Sequence, residues 1–282
     1  MPPALKGFWK DPILDMATKV WASKKEQWID DSPRLEDTDM LKRYAEMDSA
    51  IDEINFRKDM LAKWKDEGSG VTLKVRELPG RTRVVFLGTE EQWSEIPWDF
   101  WARIFQAIEH PVGFILFYAD PRPRVDPKDG VEVMAQDING GFSYLCRQDV
   151  VVIYRFEEAS RVLLHELLHT ACFDKEKEVE HLEASTEAWT EVFLCALLSR
   201  GSPSKFNTLW RKQVAWMTEQ ANTLSHERDV NEPGDYAWRY MKGKMELLEA
   251  MGFLRGYRAG TTTTVPTTSL RFTTPEWDRL MR

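Results

Sequence analysis

The chain has 282 residues, 43% of them hydrophobic, and its 46 acidic and 38 basic side chains leave a net charge of −8 at pH 7. This acidic balance argues against a nucleic-acid partner, because phosphate binding requires a basic surface. The length and apolar content suffice for a large core that does not need disulfides.

The sequence contains no recognisable targeting or membrane-spanning segment. The first residues are not followed by the apolar stretch of a signal peptide. The longest central apolar run, residues 114–119, is far too short to cross a bilayer. Three scattered cysteines, Cys146, Cys172 and Cys195, predict no disulfide framework. We therefore expect an intracellular, cytoplasmic protein without a membrane partner.

Residues 1–70 are predicted to form a helical N-terminal region. Apolar side chains recur there at helical spacing, namely Met40, Leu41, Tyr44, Met47, Ile51 and Ile54. The stretch 66–70 contains two glycines and is predicted to be a linker.

The pattern changes to strands after residue 70. Two short β-prone runs, 71–77 and 83–87, flank Pro79-Gly80 and predict a hairpin. The apolar run 112–119 predicts a central strand of a sheet. Further elements are expected at 90–109 (helix) and at 131–136, 141–146 and 149–155 (strands), with a turn at 139–141 between the first two of these strands.

Helices are predicted for most of the remaining chain, at 157–172, 177–199 and 204–254. The Thr-rich tail, 256–282, is expected to be an arm packed on the body or disordered. The main domain is therefore expected to span residues 71–255.

The segment His165-Glu166-Leu167-Leu168-His169 contains an HExxH motif. Histidines four residues apart lie on one face of a helix, so both imidazoles can reach one metal ion, while Glu166 can act as the general base on its water. The surrounding helix is almost entirely apolar. Burying these polar groups without partners costs roughly 2–7 kcal/mol each, and a metal site would remove that cost.

Catalytic zinc usually has three protein ligands, and the next predicted helix offers carboxylates. Glu187 and Glu191 lie four residues apart, beside small side chains that permit close helix packing. Glu187 can therefore be the third ligand, and Glu191 can accept the second N–H of a ligand histidine.

This arrangement resembles the gluzincin branch of the zincin metallopeptidases, in which HExxH is followed by a helix carrying Glu-x-x-x-Asp or Glu. The resemblance covers residues 161–191, and 17 residues separate His169 from Glu187. It implies an α+β, zincin-like fold: a mixed β-sheet lobe followed by the active-site helix and a helical C-terminal lobe. It also implies that Glu187 is a ligand of one Zn²⁺, that Glu191 supports the site, and that an edge strand within 141–146 holds the substrate backbone.

Other assignments of these acidic residues remain open. Glu183 is an alternative ligand, and the glutamates of this helix also fit a solvated face. His181 is another candidate, but the metzincin pattern is absent because Lys175 stands where its third histidine would be and position 172 is not Gly.

The predicted function is a zinc peptidase that acts on a peptide or protein substrate through a zinc-activated water. A further stabiliser of the oxyanion is expected from downstream, with His226, Tyr236, Arg239 and Tyr240 as candidates. The alternatives are a catalytically inactive zinc-binding interaction protein with a zincin fold, and a helical scaffold in which the motif is accidental.

Overall fold

The computed structural model describes residues 10–47, 55–127, 131–173, 179–227, 235–254 and 269–282. Its elements are, in chain order, α1 (Lys10–Ala22), β1 (Ile29–Asp31), α2 (Leu35–Glu46), α3 (Phe56–Lys65), β2 (Thr72–Leu78), β3 (Thr82–Gly88), α4 (Glu90–Glu95), α5 (Trp98–Ile108), β4 (Phe114–Asp120), α6 (Ala135–Ile138), β5 (Gly141–Ser143), β6 (Val150–Arg155), α7 (Ala159–Thr170), α8 (Val179–Ser199), α9 (Pro203–Glu227), a π-helical turn (Trp238–Lys242), α10 (Gly243–Ala250) and α11 (Pro275–Met281). No helix in these ranges is both long enough and apolar enough to cross a membrane.

The chain forms two compact units, each assembled from separate stretches of sequence. The sheet unit comprises residues 25–123 and 139–173 with Arg282, and the helical unit comprises residues 1–24, 124–138 and 174–281. The sequence instead predicts consecutive segments with boundaries after residues 70 and 255. The difference arises because α1 packs with α8, whereas α3, from the same predicted segment, packs with the strands of the sheet unit.

The sheet unit is built on one mixed six-stranded sheet. Its strand order is β1-β2-β3-β4-β6-β5, with β3, β4 and β6 parallel and the other neighbouring pairs antiparallel. Every residue of β3 and β6 is buried. Central strands covered on both faces are typical of a sheet that lies between two layers of helices.

One face of this sheet packs against α2 and α3. Leu41, Tyr44, Phe56 and Met60 belong to one buried cluster with alternate residues of the central strands. The hydroxyl of Tyr118 on β4 donates a hydrogen bond of 2.6 Å to the carbonyl of Leu41. The N-terminal helices α2 and α3 are therefore an integral layer of the sheet unit.

The opposite face packs against α4, α5 and α7. Phe86 and Phe117 project there and contact the rings of Trp93 and Trp101. The indole N–H of Trp101 donates a hydrogen bond of 2.8 Å to Ser160 Oγ at the start of α7. This layer fixes α7, which carries the HExxH motif.

Several predicted elements are confirmed and others need correction. The hairpin at Pro79-Gly80 joins β2 to β3, and β4 is a central strand as predicted. The helix predicted at 90–109 is divided at Pro97 into α4 and α5. The strand predicted at 131–136 is wrong, because α6 begins within it. Asp137 accepts a hydrogen bond of 2.9 Å from the backbone N–H of Met134, which stabilises the start of that helix.

The helical unit buries a cluster of aromatic and aliphatic side chains from several segments. This cluster comprises Val133, Ile138, Ala184, Ala237, Trp238, Tyr240, Met241, Leu270 and Phe272. The helix predicted over 204–254 is interrupted, and the π-helical turn occurs where Gly243 lies against the Trp238 ring. A Cβ on Gly243 would lie 2.5 Å from that ring. In the predicted tail, α11 buries Trp277, whereas residues 256–268 lie outside the described residues.

Candidate active site

Helix α7 carries the HExxH motif within the sheet unit, and all twelve of its residues are buried. His165, Glu166 and His169 retain only 7%, 5% and 6% of their exposure. The helix begins after Glu158, whose left-handed backbone conformation (φ 58°) turns the chain from β6 into α7. The apolar residues of α7 therefore place two imidazoles and one carboxylate in a buried position.

The two imidazoles of α7 face each other. Their Nε2 atoms lie 3.0 Å apart, with the rings in an edge-to-face arrangement. Two nitrogens bound to a tetrahedral zinc at about 2.0–2.1 Å would be about 3.3–3.4 Å apart. The observed separation is about 0.3–0.4 Å shorter than this, so the two rings would have to move slightly apart to share a metal ion. The distance also permits a hydrogen bond between the two rings when one Nε2 carries a proton.

The carboxylate of Glu166 is held by the strand beside it. Ser143 Oγ lies 2.8 Å from Glu166 Oε2 and 3.2 Å from the Glu166 carbonyl oxygen. Ser143 ends β5, which pairs with β6 and is the last strand of the sheet. The predicted edge strand within 141–146 is therefore present as β5, although it is only three residues long. No motif in the sequence points to Ser143 itself.

The backbone of this edge segment lies directly on α7. A Cβ on Gly141 would lie 2.6 Å from both Val152 O and Val162 Cγ1, so only glycine allows this close approach. Three residues beyond Ser143, the backbone N–H of Cys146 donates a hydrogen bond of 3.0 Å to the carbonyl of His169. The segment thus contacts α7 near its beginning, middle and end.

A disulfide joins Cys146 to Cys172, which corrects the expectation that the cysteines form no such bond. Both residues have positive φ angles, 60° and 52°, and these tight bends bring their Cα atoms to 4.7 Å. The backbone N–H of Cys172 also donates to the carbonyl of His169, at 3.1 Å. The total number of cysteines could not predict this pairing, because it depends on the two bends.

Glu187 and Glu191 belong to the helical unit, on α8, and both are buried. The solvated-face interpretation is therefore wrong for these two side chains. Lys244 Nζ on α10 lies 3.1 Å from Glu191 Oε1 and 3.8 Å from Glu187 Oε2. Gln213 Nε2 donates a hydrogen bond of 2.9 Å to Glu191 Oε2. Lys244 and Gln213 are contacts of the predicted supporting residue that the sequence analysis missed.

Two predicted stabilisers, Tyr236 and Tyr240, lie together in the helical unit. Their hydroxyl oxygens are 3.3 Å apart. Burial raises the pKa of Tyr240 well above its usual value, and the charges of Glu183 and Glu187 raise it further. Tyr240 therefore keeps its proton at neutral pH and is close enough to both glutamates to interact with them.

The remaining candidates have different surroundings. The guanidinium of Arg239 lies over the ring of Tyr236, 5.3 Å from its centroid. His181 contacts the ring of Trp238 edge-to-face. His226 is outside the residues whose side chains the structure describes. The structure thus groups the predicted site residues in two sets, the α7 set in the sheet unit and the α8 to α10 set in the helical unit.

Comparisons with protein-family models, with curated proteins and with solved structures give no match.

Proposed function

We propose that the chain is a zinc-dependent peptidase that hydrolyses peptide bonds with Glu166 as the general base. The observation that carries this proposal is the arrangement on α7. Two buried imidazoles present Nε2 atoms 3.0 Å apart, and the carboxylate between them in sequence is held by the edge strand. Helix geometry alone brings two histidines four residues apart together, but an accidental motif does not require a carboxylate oriented beside them.

His165 and His169 would hold the zinc ion, and Glu187 of α8 would supply the third ligand, with Glu183 as the alternative. The bound zinc would lower the pKa of a water molecule and polarise the scissile carbonyl. Glu166 would accept the proton of that water and pass it to the leaving amine. The buried position of Glu166 favours this role, because a proton acceptor works best where bulk water does not compete.

The substrate backbone would pair with β5. This strand is hydrogen-bonded to β6 on one side, and within the described residues the sheet ends there. An extended peptide can add to such an edge through main-chain hydrogen bonds. Because β5 also carries Ser143, a peptide at this edge would lie close to Glu166.

Tyr240 would stabilise the oxyanion. A tyrosine hydroxyl carries its proton at neutral pH, and it can donate a hydrogen bond to developing negative charge. Glu191 would support Glu187 indirectly, because Lys244 lies near both carboxylates. The sequence instead predicts that Glu191 accepts the second N–H of a ligand histidine.

Zinc analysis and peptide cleavage, measured on the same preparations, test the proposal. We expect about one zinc per wild-type chain and almost none in His169→Ala. Glu166→Gln should keep the zinc but lose at least about 100-fold in cleavage of a peptide library, because the general base is removed. Cleavage by the wild type separates the peptidase from the inactive zinc-binding alternative.

The controls identify the ligands individually. His110→Ala removes a histidine of the same unit whose ring lies beside Gln148, and it should leave zinc unchanged. Glu187→Gln should lower the zinc content, whereas Glu183→Gln should not; the reverse result would assign the third ligand to Glu183. Wild-type protein that binds no zinc after reconstitution would leave the motif as part of a core helix and refute the proposal.

A further inference from the structure

The contact between Ser143 and Glu166 joins the edge strand to the proposed catalytic base. The serine hydroxyl has one proton and two acceptors within reach, the carboxylate oxygen at 2.8 Å and the Glu166 carbonyl oxygen at 3.2 Å. The shorter distance and the charge of an ionised carboxylate both favour donation to Oε2. The hydroxyl therefore fixes the Oε2 oxygen of the Glu166 carboxylate.

Ser143 is itself held in place by the contacts on either side of it. Gly141 allows β5 to lie against Val162, and the N–H of Cys146 is bonded to the carbonyl of His169. The Cys146–Cys172 disulfide closes the end of the same segment. Because contacts with α7 at Gly141 and at Cys146 hold the segment on both sides of Ser143, the hydroxyl has a fixed position relative to α7.

A glutamate side chain has several rotatable bonds, and burial alone does not select one rotamer. A misplacement of about 1 Å in a reacting group can lower the rate about 100-fold. A fixed hydrogen-bond donor limits the carboxylate to the orientation seen here. We propose that Ser143 is a positioning residue that holds Glu166 in the orientation required for proton transfer. This inference rests on the proposed peptidase function.

Ser143→Ala tests the inference through the split between kcat and KM. We expect kcat to fall about 10- to 100-fold, with KM and zinc content close to wild type, because neither the metal ligands nor the substrate-binding backbone is altered. Ser143→Thr keeps the hydroxyl and should restore most of kcat. Ser160→Ala is the matched control. It removes a serine hydroxyl on α7, the helix that carries Glu166, and this hydroxyl accepts a hydrogen bond from Trp101. The substitution should lower the melting temperature without changing kcat.

A second measurement tests the contact between Ser143 and Glu166 through protein stability, so it does not depend on enzymatic activity. In the metal-free protein, Ser143→Ala should lower the melting temperature, and this shift should largely disappear when Glu166 is already alanine. A Ser143→Ala variant with kcat within twofold of wild type would overturn the positioning role. So would a Ser143→Thr variant as impaired as the alanine. Wild-type protein without zinc or cleavage would instead overturn the peptidase function itself, and the positioning role with it.

Discussion

The Nζ of Lys244 has no exposed surface and lies beside two buried carboxylates. Glu191 compensates it at 3.1 Å, and the second oxygen of this carboxylate accepts from Gln213. Gln213 also donates to the carbonyl of Phe272. This buried network fixes the side of α8 that carries both glutamates.

Replacement of Lys244 by methionine should destabilise the protein by about 3–5 kcal/mol, because it leaves two buried carboxylates without this ammonium. The free energy of unfolding, measured by urea denaturation, checks this. Lys212→Met is the matched control, since Lys212 pairs with Glu276 at the surface and should change stability by less than about 1 kcal/mol. If both substitutions lowered the free energy of unfolding equally, the buried pair of Lys244 and Glu191 would contribute no more to stability than the surface pair.

At the scale of single residues, only locally encoded features could be predicted. The spacing of His165 and His169 specifies a shared helix face, so the motif was visible in the sequence. Lys244 is 53 residues from Glu191, and Ser143 is 23 residues from Glu166. No pattern in the sequence connects these pairs, because the contacts depend on the packing of whole elements.

At the scale of elements, β5 depends on the absence of a side chain at Gly141. Gly141→Ala would put a Cβ 2.6 Å from Val152 O and from Val162 Cγ1. We expect a loss of about 1–3 kcal/mol in stability, since β5 must move away from α7. Chemical denaturation measures this loss.

Gly68→Ala provides the comparison for Gly141. The nearest atom to a Cβ at that position is the Asp66 carboxylate oxygen at 3.5 Å, so the alanine should be tolerated. If Gly141→Ala were as stable as Gly68→Ala, β5 would not be held by close packing.

Different local signals predict the elements that the structure confirms. The turn residues Pro79-Gly80 predict the hairpin, and the continuous apolar run 112–119 predicts β4. The segment 131–136 was misassigned because a short run of apolar residues is compatible with several structures. The start of α6 is stabilised by a hydrogen bond from the Met134 N–H to Asp137. This contact spans only four residues, which is too short a stretch to produce a periodic pattern in the sequence.

At the scale of the whole molecule, the division into units could not be predicted from changes in composition. Both units are discontinuous, and the boundary at residue 24 falls between charged residues that resemble their surroundings. The sequence predicts the α+β class and a sheet followed by a helical C-terminal part, because the strand patterns end by residue 155 and helical patterns follow. The zincin-like arrangement stays a prediction.

Thiol titration tests the state of the three cysteines across the molecule. Burial raises the pKa of Cys195 well above its usual value, so its thiol stays protonated and unreactive in the native state. With Cys146 and Cys172 joined, we expect no thiol to react with an aromatic disulfide reagent in native protein and one thiol after denaturation. Three should react after reduction and denaturation.

Reduction of the disulfide should also lower the stability of the sheet unit. Its two cysteines are 26 residues apart, and the chain-entropy account gives about 3–4 kcal/mol for such a loop. Three reactive thiols in denatured, unreduced protein would show that the bond is absent.

The division of the chain also has a consequence for its synthesis on a ribosome. Helix α1 belongs to the helical unit, where the Trp21 indole donates a hydrogen bond of 2.8 Å to the carbonyl of Leu197 on α8. At about 5–20 residues per second, roughly ten to thirty seconds separate the synthesis of these two partners. The apolar side of α1 therefore waits for α8 while residues 25–173, which include all six strands, are synthesised.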